Sequence, residues 1–413
     1  MKYVIFLGDG MADTPVAELG GRTPLAVAKH PHMDRLASAG VMGLVRTVPA
    51  GMKPGSDTAN LSVMGYDPEI YYSGRSPLEA ASIGIDLAPE DVAYRCNFVT
   101  LAGEGGLSDA VMEDYSAGEI SSAEARQLVE VINARFASDR VHLYPGVSYR
   151  QCLVLKGAET GALLTPPHDI SGQSVKGRLP EGTNAALLKA MMEYACETLG
   201  RHPVNLERVR QGKRPANAVW FWGEGRRPAL APFESLYGLR GAVISAVDLI
   251  QGIGKCAGMR VIPVPGATGN YHTDFAAKGR AAIEALSTDC DFVYIHVEAP
   301  DECGHQRQIP EKVYSIEQID EKIVAPVMEY LSRCGEDYAV LVLPDHPTPL
   351  AIRTHTGDPV PFILYRSNEA ETGGPKVRYC EETAAETGVF VQRGDSLMNL
   401  LTGREKLLQN AAE

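Results

Sequence analysis

The sequence predicts an α/β fold with a mainly parallel sheet, interrupted by one inserted α+β segment. Two observations predict it. Short apolar runs alternate with stretches of helical character over most of the 413 residues, as strands joined by crossover helices do. From about Asp91 to Asn217 the texture changes to a few strands with two longer amphipathic helices. The expected division is a core of residues 1–90 and 217–413 and an inserted unit of residues 91–216, with helices on both faces of the core sheet.

Taken in order, Tyr3–Leu7 is an apolar run that ends at Gly8-Asp9-Gly10, the form of a buried strand delivering a loop. His32–Ala39 reads as a helix and Gly43–Val48 as a strand. Thr58–Met64 has helical character and follows the turn Pro54-Gly55-Ser56-Asp57. In the insert, Arg95–Leu101 reads as a strand, Ser122–Phe136 as an amphipathic helix, Val141–Leu155 as a hairpin and Asn184–Leu199 as a second helix. Pro180–Thr183 and Gln211–Pro215 read as loops. Val219–Trp222 then reads as a return to the core, followed by the apolar runs Val243–Ile250, Val261–Val264, Phe292–Val297 and Ala339–Leu343. No internal repeat or low-complexity segment is present.

Composition narrows the functional classes. Hydrophobic residues are 45% and charged residues 22%, which excludes a disordered or collagenous chain. The formal net charge is −13, from 52 acidic and 39 basic side chains. That argues against nucleic acid as a partner, and an enzyme of anions would need positive charge concentrated locally. The eight cysteines form no C-x-x-C pair and read as reduced thiols of a cytoplasmic protein. The start MKYVIFLGDG turns acidic too soon for a signal peptide. No run approaches the roughly 18 apolar residues of a membrane span.

The chemistry-bearing residues stand at predicted strand ends, where open α/β sheets bind ligands. Asp9 follows the first run. Asp301 and His305 follow Phe292–Val297 at a spacing that shares one face of a helical turn. Asp345-His346 follows Ala339–Leu343, and His355 stands in a loop before another apolar run. Singly, each also reads as a loop cap, a helix-start pair, a turn or a plain loop histidine. Together, three aspartates and three histidines suit one or two divalent cations, and two such ions form a clamp for phosphoryl transfer. Ser56 lies in a glycine turn feeding a helix, whose first backbone N–H groups can hold a phosphate. It reads either as an N-cap or as a nucleophile. No G-x-x-x-x-G-K-[ST] loop or G-x-S-x-G elbow occurs.

These segments, with P-G-S-D-T-A-N-L-S-V-M-G-Y-D-P, G-R-S-P-L-E-A, R-C-N-F, S-A-V-D-L-I-Q-G-I-G-K and V-P-G-A-T-G, run over nearly the whole chain. On them the chain resembles the cofactor-independent phosphoglycerate mutases of the archaeal type, in the alkaline phosphatase superfamily. The resemblance implies an alkaline-phosphatase-like core with a cap that closes over the substrate. It implies two divalent ions, manganese first, with zinc, cobalt or magnesium as alternatives, and no bisphosphoglycerate. One ion would be held by Asp9, Ser56, Asp345 and His346, the other by Asp301, His305 and His355. Ser56 would carry the phosphoryl group between 3- and 2-phosphoglycerate. Arg75, Arg95, Lys255 and Lys278 are implied as holders of the small anionic substrate, Arg75 and Lys278 also acting in catalysis. His168 and Asp169 would orient or deprotonate the glycerate hydroxyl.

One departure stands out. Where archaeal members carry an arginine-rich stretch, this chain has Glu113-Asp114-Tyr115-Ser116-Ala117-Gly118-Glu119-Ile120. In this it resembles a bacterial branch, some of whose members have been proposed as homoserine kinases. The alternative reading is therefore a phosphotransferase on another small hydroxy acid such as homoserine.

Overall fold

The computed structural model describes residues 1–103, 105–369 and 376–407. The chain divides into two compact units, Met1–Tyr72 with Leu230–Glu413, and Ser73–Ala229.

The first unit is built on an eight-stranded sheet. Its order is Arg260–Val261, Gly241–Ile244, Phe292–Val297, Lys2–Gly8, Tyr338–Leu343, Val360–Arg366, Val41–Val45 and Phe390–Val391. Val360–Arg366 runs antiparallel to both of its neighbours; the other pairs are parallel. The central strands are near-continuous apolar runs because helices cover both faces. Val4 and Phe6 join one core with Leu36, Ala282, Ile316 and Val327. Ile5 and Leu7, which point the other way, are also buried.

Several boundaries differ from the sequence reading. The apolar run Val243–Ile250 is not one element: the strand stops at Ile244 and a helix, Asp248–Cys256, begins within the same run. The strand near residue 261 is only Arg260–Val261, and the one near residue 43 is Val41–Val45.

The second unit has a five-stranded sheet. Val92–Ala102 is its long central strand, pairing antiparallel with Val111–Asp114, Arg150–Leu155 and Ala218–Arg226, and Val141–Tyr144 adds beyond Arg150–Leu155. Helices Ser122–Phe136 and Ala185–Thr198 contribute to its core through Leu128, Ile132, Leu188 and Met192. The first of these begins at a reciprocal cap. Ser121 Oγ accepts from Glu124 N at 3.3 Å, and the Glu124 carboxylate accepts from Ser121 N at 3.1 Å.

The compact units divide at 72/73 and 229/230, not at the 90/91 and 216/217 read from the sequence. Two elements account for the shift. Helix Ser76–Ser82 packs on Val92–Ala102 and Ala218–Arg226, with Ser76 Oγ donating to the Gly223 carbonyl. The strand containing Val219–Trp222 pairs with Val92–Ala102 instead of returning to the core sheet.

Candidate metal and phosphoryl-transfer site

The parallel strands of the first unit end together, and the loops there carry the polar residues. Asp9 follows Lys2–Gly8. Asp345 and His346 follow Tyr338–Leu343. Asp301 and His305 sit on helix Ala299–Gln306, which follows Phe292–Val297. His355 precedes Val360–Arg366, whose reversed direction brings its beginning to the same end. Ser56 is the first residue of helix Ser56–Val63.

All seven predicted ligand residues converge. Ser56 Oγ lies 3.1 Å from His346 Nε2 and 3.5 Å from Asp9 Oδ2. His346 Nε2 is 3.4 Å from Asp345 Oδ2 and 3.6 Å from Asp9 Oδ1. On the other side, Asp301 Oδ2 is 3.2 Å from His305 Nε2, and Asp301 Oδ1 is 3.3 Å from His355 Nε2. The two imidazoles approach to 2.9 Å between their Nε2 atoms. Asp9, Asp345 and His346 form one cluster able to hold an ion, and Asp301, His346 and His355 form another. His346 therefore belongs to both, with its ring 4.1 Å from that of His355.

A cation fits these donors. Asp9 Oδ1 is buried and has no hydrogen-bond partner, a costly state for a carboxylate oxygen unless a positive charge compensates it. Burial first, then the neighbouring Asp345, Asp301 and Glu298, push the Asp9 carboxyl well above the usual range. Burial also raises Asp301, but the His305 and His355 imidazoles more than offset it and hold that carboxyl well below the ordinary value. In return Asp301 pushes His305 up to about 9, against the opposing effect of burial. Mixed carboxylate, imidazole and hydroxyl donors suit zinc, manganese or related divalent ions.

A second layer of hydrogen bonds holds these side chains in place. Asp345 Oδ1 accepts from Gly10 N at 3.1 Å and His346 N at 2.9 Å, and its Oδ2 accepts from Asn60 Nδ2 at 2.8 Å. Asn60 Nδ2 also donates to the Ser56 carbonyl at 2.8 Å, and its Oδ1 accepts from Tyr294 at 2.6 Å. His296 Nε2 meets Asp9 Oδ2 at 3.0 Å, and Thr348 Oγ1 donates to Asp301 Oδ1. The sequence reading missed Asn60, Tyr294, His296 and Thr348. The available signal was a polar residue inside an apolar run, as His296 is in F-V-Y-I-H-V.

The predicted substrate residues fall in different places. Lys278 is fully buried, and its Nζ donates to the His296 carbonyl at 3.0 Å. Burial, partly offset by Glu298, brings it down to about 8. Lys255 is exposed on the last turn of helix Asp248–Cys256.

Arg75, Arg95, His168 and Asp169 belong to the second unit. There Glu79 bridges Arg75 Nε and Arg95 Nε, each at 2.9 Å. Burial raises Glu79, but Arg95 and then Arg75 outweigh it and hold the carboxyl below its usual range. Arg95 lies over the Trp222 ring at 4.1 Å, and His168 meets that ring edge-on with centroids 5.1 Å apart. His168 Nε2 is 3.4 Å from Asp169 Oδ1 on an exposed turn. The acidic stretch that set this chain apart from archaeal members is occupied within its own unit. Asp114 accepts from Ser116 N and Gly118 N, both at 2.8 Å, and pairs with Arg214 at 2.7 Å, while Glu113 lies 3.6 Å from Arg214.

Among the described residues no helix is long and apolar enough to cross a membrane. The eight cysteines are free thiols.

A family model described as 2,3-bisphosphoglycerate-independent phosphoglycerate mutase matches residues 37–205. A probable mutase of that description from Geobacter sulfurreducens is 50% identical, covering 98% of this chain and 100% of its own. One from Methanothrix thermoacetophila is 51% identical over 97% of this chain and 99% of its own. Among solved structures, the PH0037 protein of Pyrococcus horikoshii is 29% identical with a TM-score of 0.80, covering 98% of each chain. The cofactor-independent phosphoglycerate mutase of Thermoplasma acidophilum is 27% identical with a TM-score of 0.67, covering 98% of this chain and 100% of that one.

Proposed function

The chain belongs to the 2,3-bisphosphoglycerate-independent phosphoglycerate mutases, and from that premise we propose that it interconverts 3- and 2-phosphoglycerate through a phosphoserine on Ser56. The observation that carries this reading is the position of Ser56 Oγ, 3.1 Å from His346 Nε2 and 3.5 Å from Asp9 Oδ2. A hydroxyl at the start of a helix, among two clusters of cation ligands, is where a nucleophile for phosphorus belongs.

In the forward direction Ser56 Oγ bonds to phosphorus while the bond from phosphorus to the C3 oxygen of glycerate breaks. The serine proton leaves and the C3 oxygen gains one. The glycerate turns, its C2 oxygen loses a proton and bonds to phosphorus, and Ser56 is restored. No bisphosphoglycerate is consumed, because the substrate itself supplies the phosphoryl group. Asp9, Ser56, Asp345 and His346 would hold one divalent cation and Asp301, His305 and His355 the other; manganese is the proposed ion, with zinc, cobalt or magnesium as alternatives. When bound, the pair neutralises the ligand carboxylates and stabilises the charge of the transferring group.

Arg75, Arg95, Lys255 and Lys278 are proposed to hold the carboxylate and phosphate, guanidinium groups matching either anion bidentately. His168, with Asp169 beside it, is proposed to take and return the glycerate hydroxyl proton. The unit Ser73–Ala229 is proposed as the cap that keeps water from the phosphoserine. A role in central carbon metabolism fits a cytoplasmic enzyme. The relatives near 50% identity carry the mutase description, which favours phosphoglycerate over homoserine.

The test is conversion of 3- to 2-phosphoglycerate by purified, metal-supplemented enzyme without added bisphosphoglycerate. It should stop with chelator and in Ser56→Ala, and the Ser56 peptide should gain the mass of one phosphoryl group. Failure to form 2-phosphoglycerate, or a fully active Ser56→Ala, would overturn the proposal.

A further inference from the structure

Thr348 is fully buried and is held from several sides. Its N–H donates to the Ala12 carbonyl at 3.2 Å. Its carbonyl accepts from Lys312 Nζ at 2.8 Å, and that ammonium pairs with Asp13 at 2.7 Å. Prolines 347 and 349 flank it and restrict the local backbone. Two motif glycines close against it. A Cβ on Gly10, whose φ is +58°, would lie 2.5 Å from Thr348 Oγ1, and one on Gly304 would lie 2.5 Å from the Thr348 carbonyl. Substitution at either glycine would push this residue aside.

The side chain meets one ligand from each half of the site. Thr348 Oγ1 contacts Asp301 Oδ1, and it lies 3.3 Å from His346 Nδ1. A hydroxyl has one proton to give. The Asp301 carboxylate, already facing two imidazoles, accepts it. The contact with His346 is then satisfied only if Nδ1 carries the ring proton. That leaves the Nε2 lone pair bare, facing Ser56 Oγ at 3.1 Å, Asp345 Oδ2 at 3.4 Å and Asp9 Oδ1 at 3.6 Å.

We infer that Thr348 is a positioning residue whose hydroxyl fixes the Nδ1–H tautomer of His346, aims its Nε2 into the cluster with Asp9 and Asp345, and sets the orientation of Asp301. One side chain would thereby hold the two clusters in register. The inference rests on the two-cation reading given above, but its first test does not need a metal.

In the metal-free chain labelled with [¹⁵N]histidine, two-bond ¹⁵N–¹H correlation reports each tautomer, and His346→Gln identifies the His346 signals. The native chain and Thr348→Ser should show the Nδ1–H form; isosteric Thr348→Val should lose it. Titration with Mn²⁺ alone should then show Thr348→Val weakened by about 10- to 100-fold and Thr348→Ser within about threefold of native, the range seen when groups orienting metal ligands are removed. An Nε2–H tautomer in the native chain, native-like Mn²⁺ binding by Thr348→Val, or equal damage from Ser and Val would each overturn the inference. A native chain that takes up no Mn²⁺ would instead overturn the two-cation reading.

Discussion

His296 and Asp9 share a hydrogen bond of 3.0 Å in which both side chains are sealed from solvent. Burial pulls His296 down to about 3, against the attraction of Asp345, so the ring is neutral. An ionised Asp9 can only accept, which places the ring proton on His296 Nε2 and leaves Nδ1 to accept from Ser245. Its oxygen accepts from Val247 N at 3.0 Å, and its hydroxyl lies 3.1 Å from His296 Nδ1. His296 Nε2–H thus donates to Asp9 Oδ2 and leaves Oδ1 for a cation. Replacing His296 with Leu should weaken Mn²⁺ binding by about 10- to 100-fold, with Asn, which keeps a donor, intermediate. Calorimetric titration of the two variants checks this.

Asp9 in the metal-free chain supplies a pH prediction. A carboxyl raised in the fold keeps its proton where the unfolded chain has lost it. Its contribution to stability is therefore full below the unfolded value of about 4 and falls as pH rises through the folded value. Asp9→Asn should stabilise the metal-free chain, by more at pH 9 than at pH 5, while abolishing uptake of one ion. Urea unfolding at the two pH values, with metal stoichiometry, decides it. An Asn variant that is less stable at both would contradict the repulsion among these acids.

Lys278 gives the complementary case. The fold lowers it to about 8, whereas the unfolded chain holds the proton to about 10.4. Below pH 8 both states are protonated and the cost of the buried ammonium is constant. Between the two values the fold releases its proton first, so stability rises with pH. Lys278→Met should therefore be more stable than native at pH 7, by on the order of 2 kcal/mol. The gain should vanish toward pH 10.4, as read by denaturant midpoints.

The Lys312–Asp13 pair, both side chains wholly buried at 2.7 Å, should show strong coupling. Removing one partner leaves an uncompensated charge, and Lys312→Met alone should cost about 3–5 kcal/mol. The double variant Lys312→Met with Asp13→Leu should recover part of that loss, because no lone charge remains. Additive losses in the cycle would refute the coupling.

In the second unit Glu79→Gln removes the negative charge between Arg75 and Arg95. The expected stability loss is about 2 kcal/mol. If these arginines hold substrate anions, KM should change more than kcat, because their spacing is what the variant disturbs.

Much of this was legible in the sequence. Phe292–Val297 and Ser122–Phe136 occur with the predicted bounds, since both are set by local pattern: a run buried on two faces, and an amphipathic repeat behind a capping pair. The convergence of Asp9, Asp301, His305, Asp345, His346 and His355 was readable because acids and histidines recur at predicted strand ends and in the loops beside them, where open α/β sheets bind ligands. The unit boundary was not readable, because a short helix such as Ser76–Ser82 and a strand such as Ala218–Arg226 take their allegiance from distant partners. His296 and Thr348 were missed for a related reason. Their importance lies in which atom they touch: His296 meets Asp9, 287 positions away, and Thr348 meets Asp301, 47 positions away.

Strands Tyr338–Leu343 and Val360–Arg366 are neighbours in the chain as well as in the sheet, and they pair antiparallel. The connection between them carries Asp345, His346 and His355. The loop these strands close, residues 344–359, is shorter than the crossovers that bring in Asp9, Ser56 and Asp301. That single connection lets one stretch of chain supply donors to both clusters.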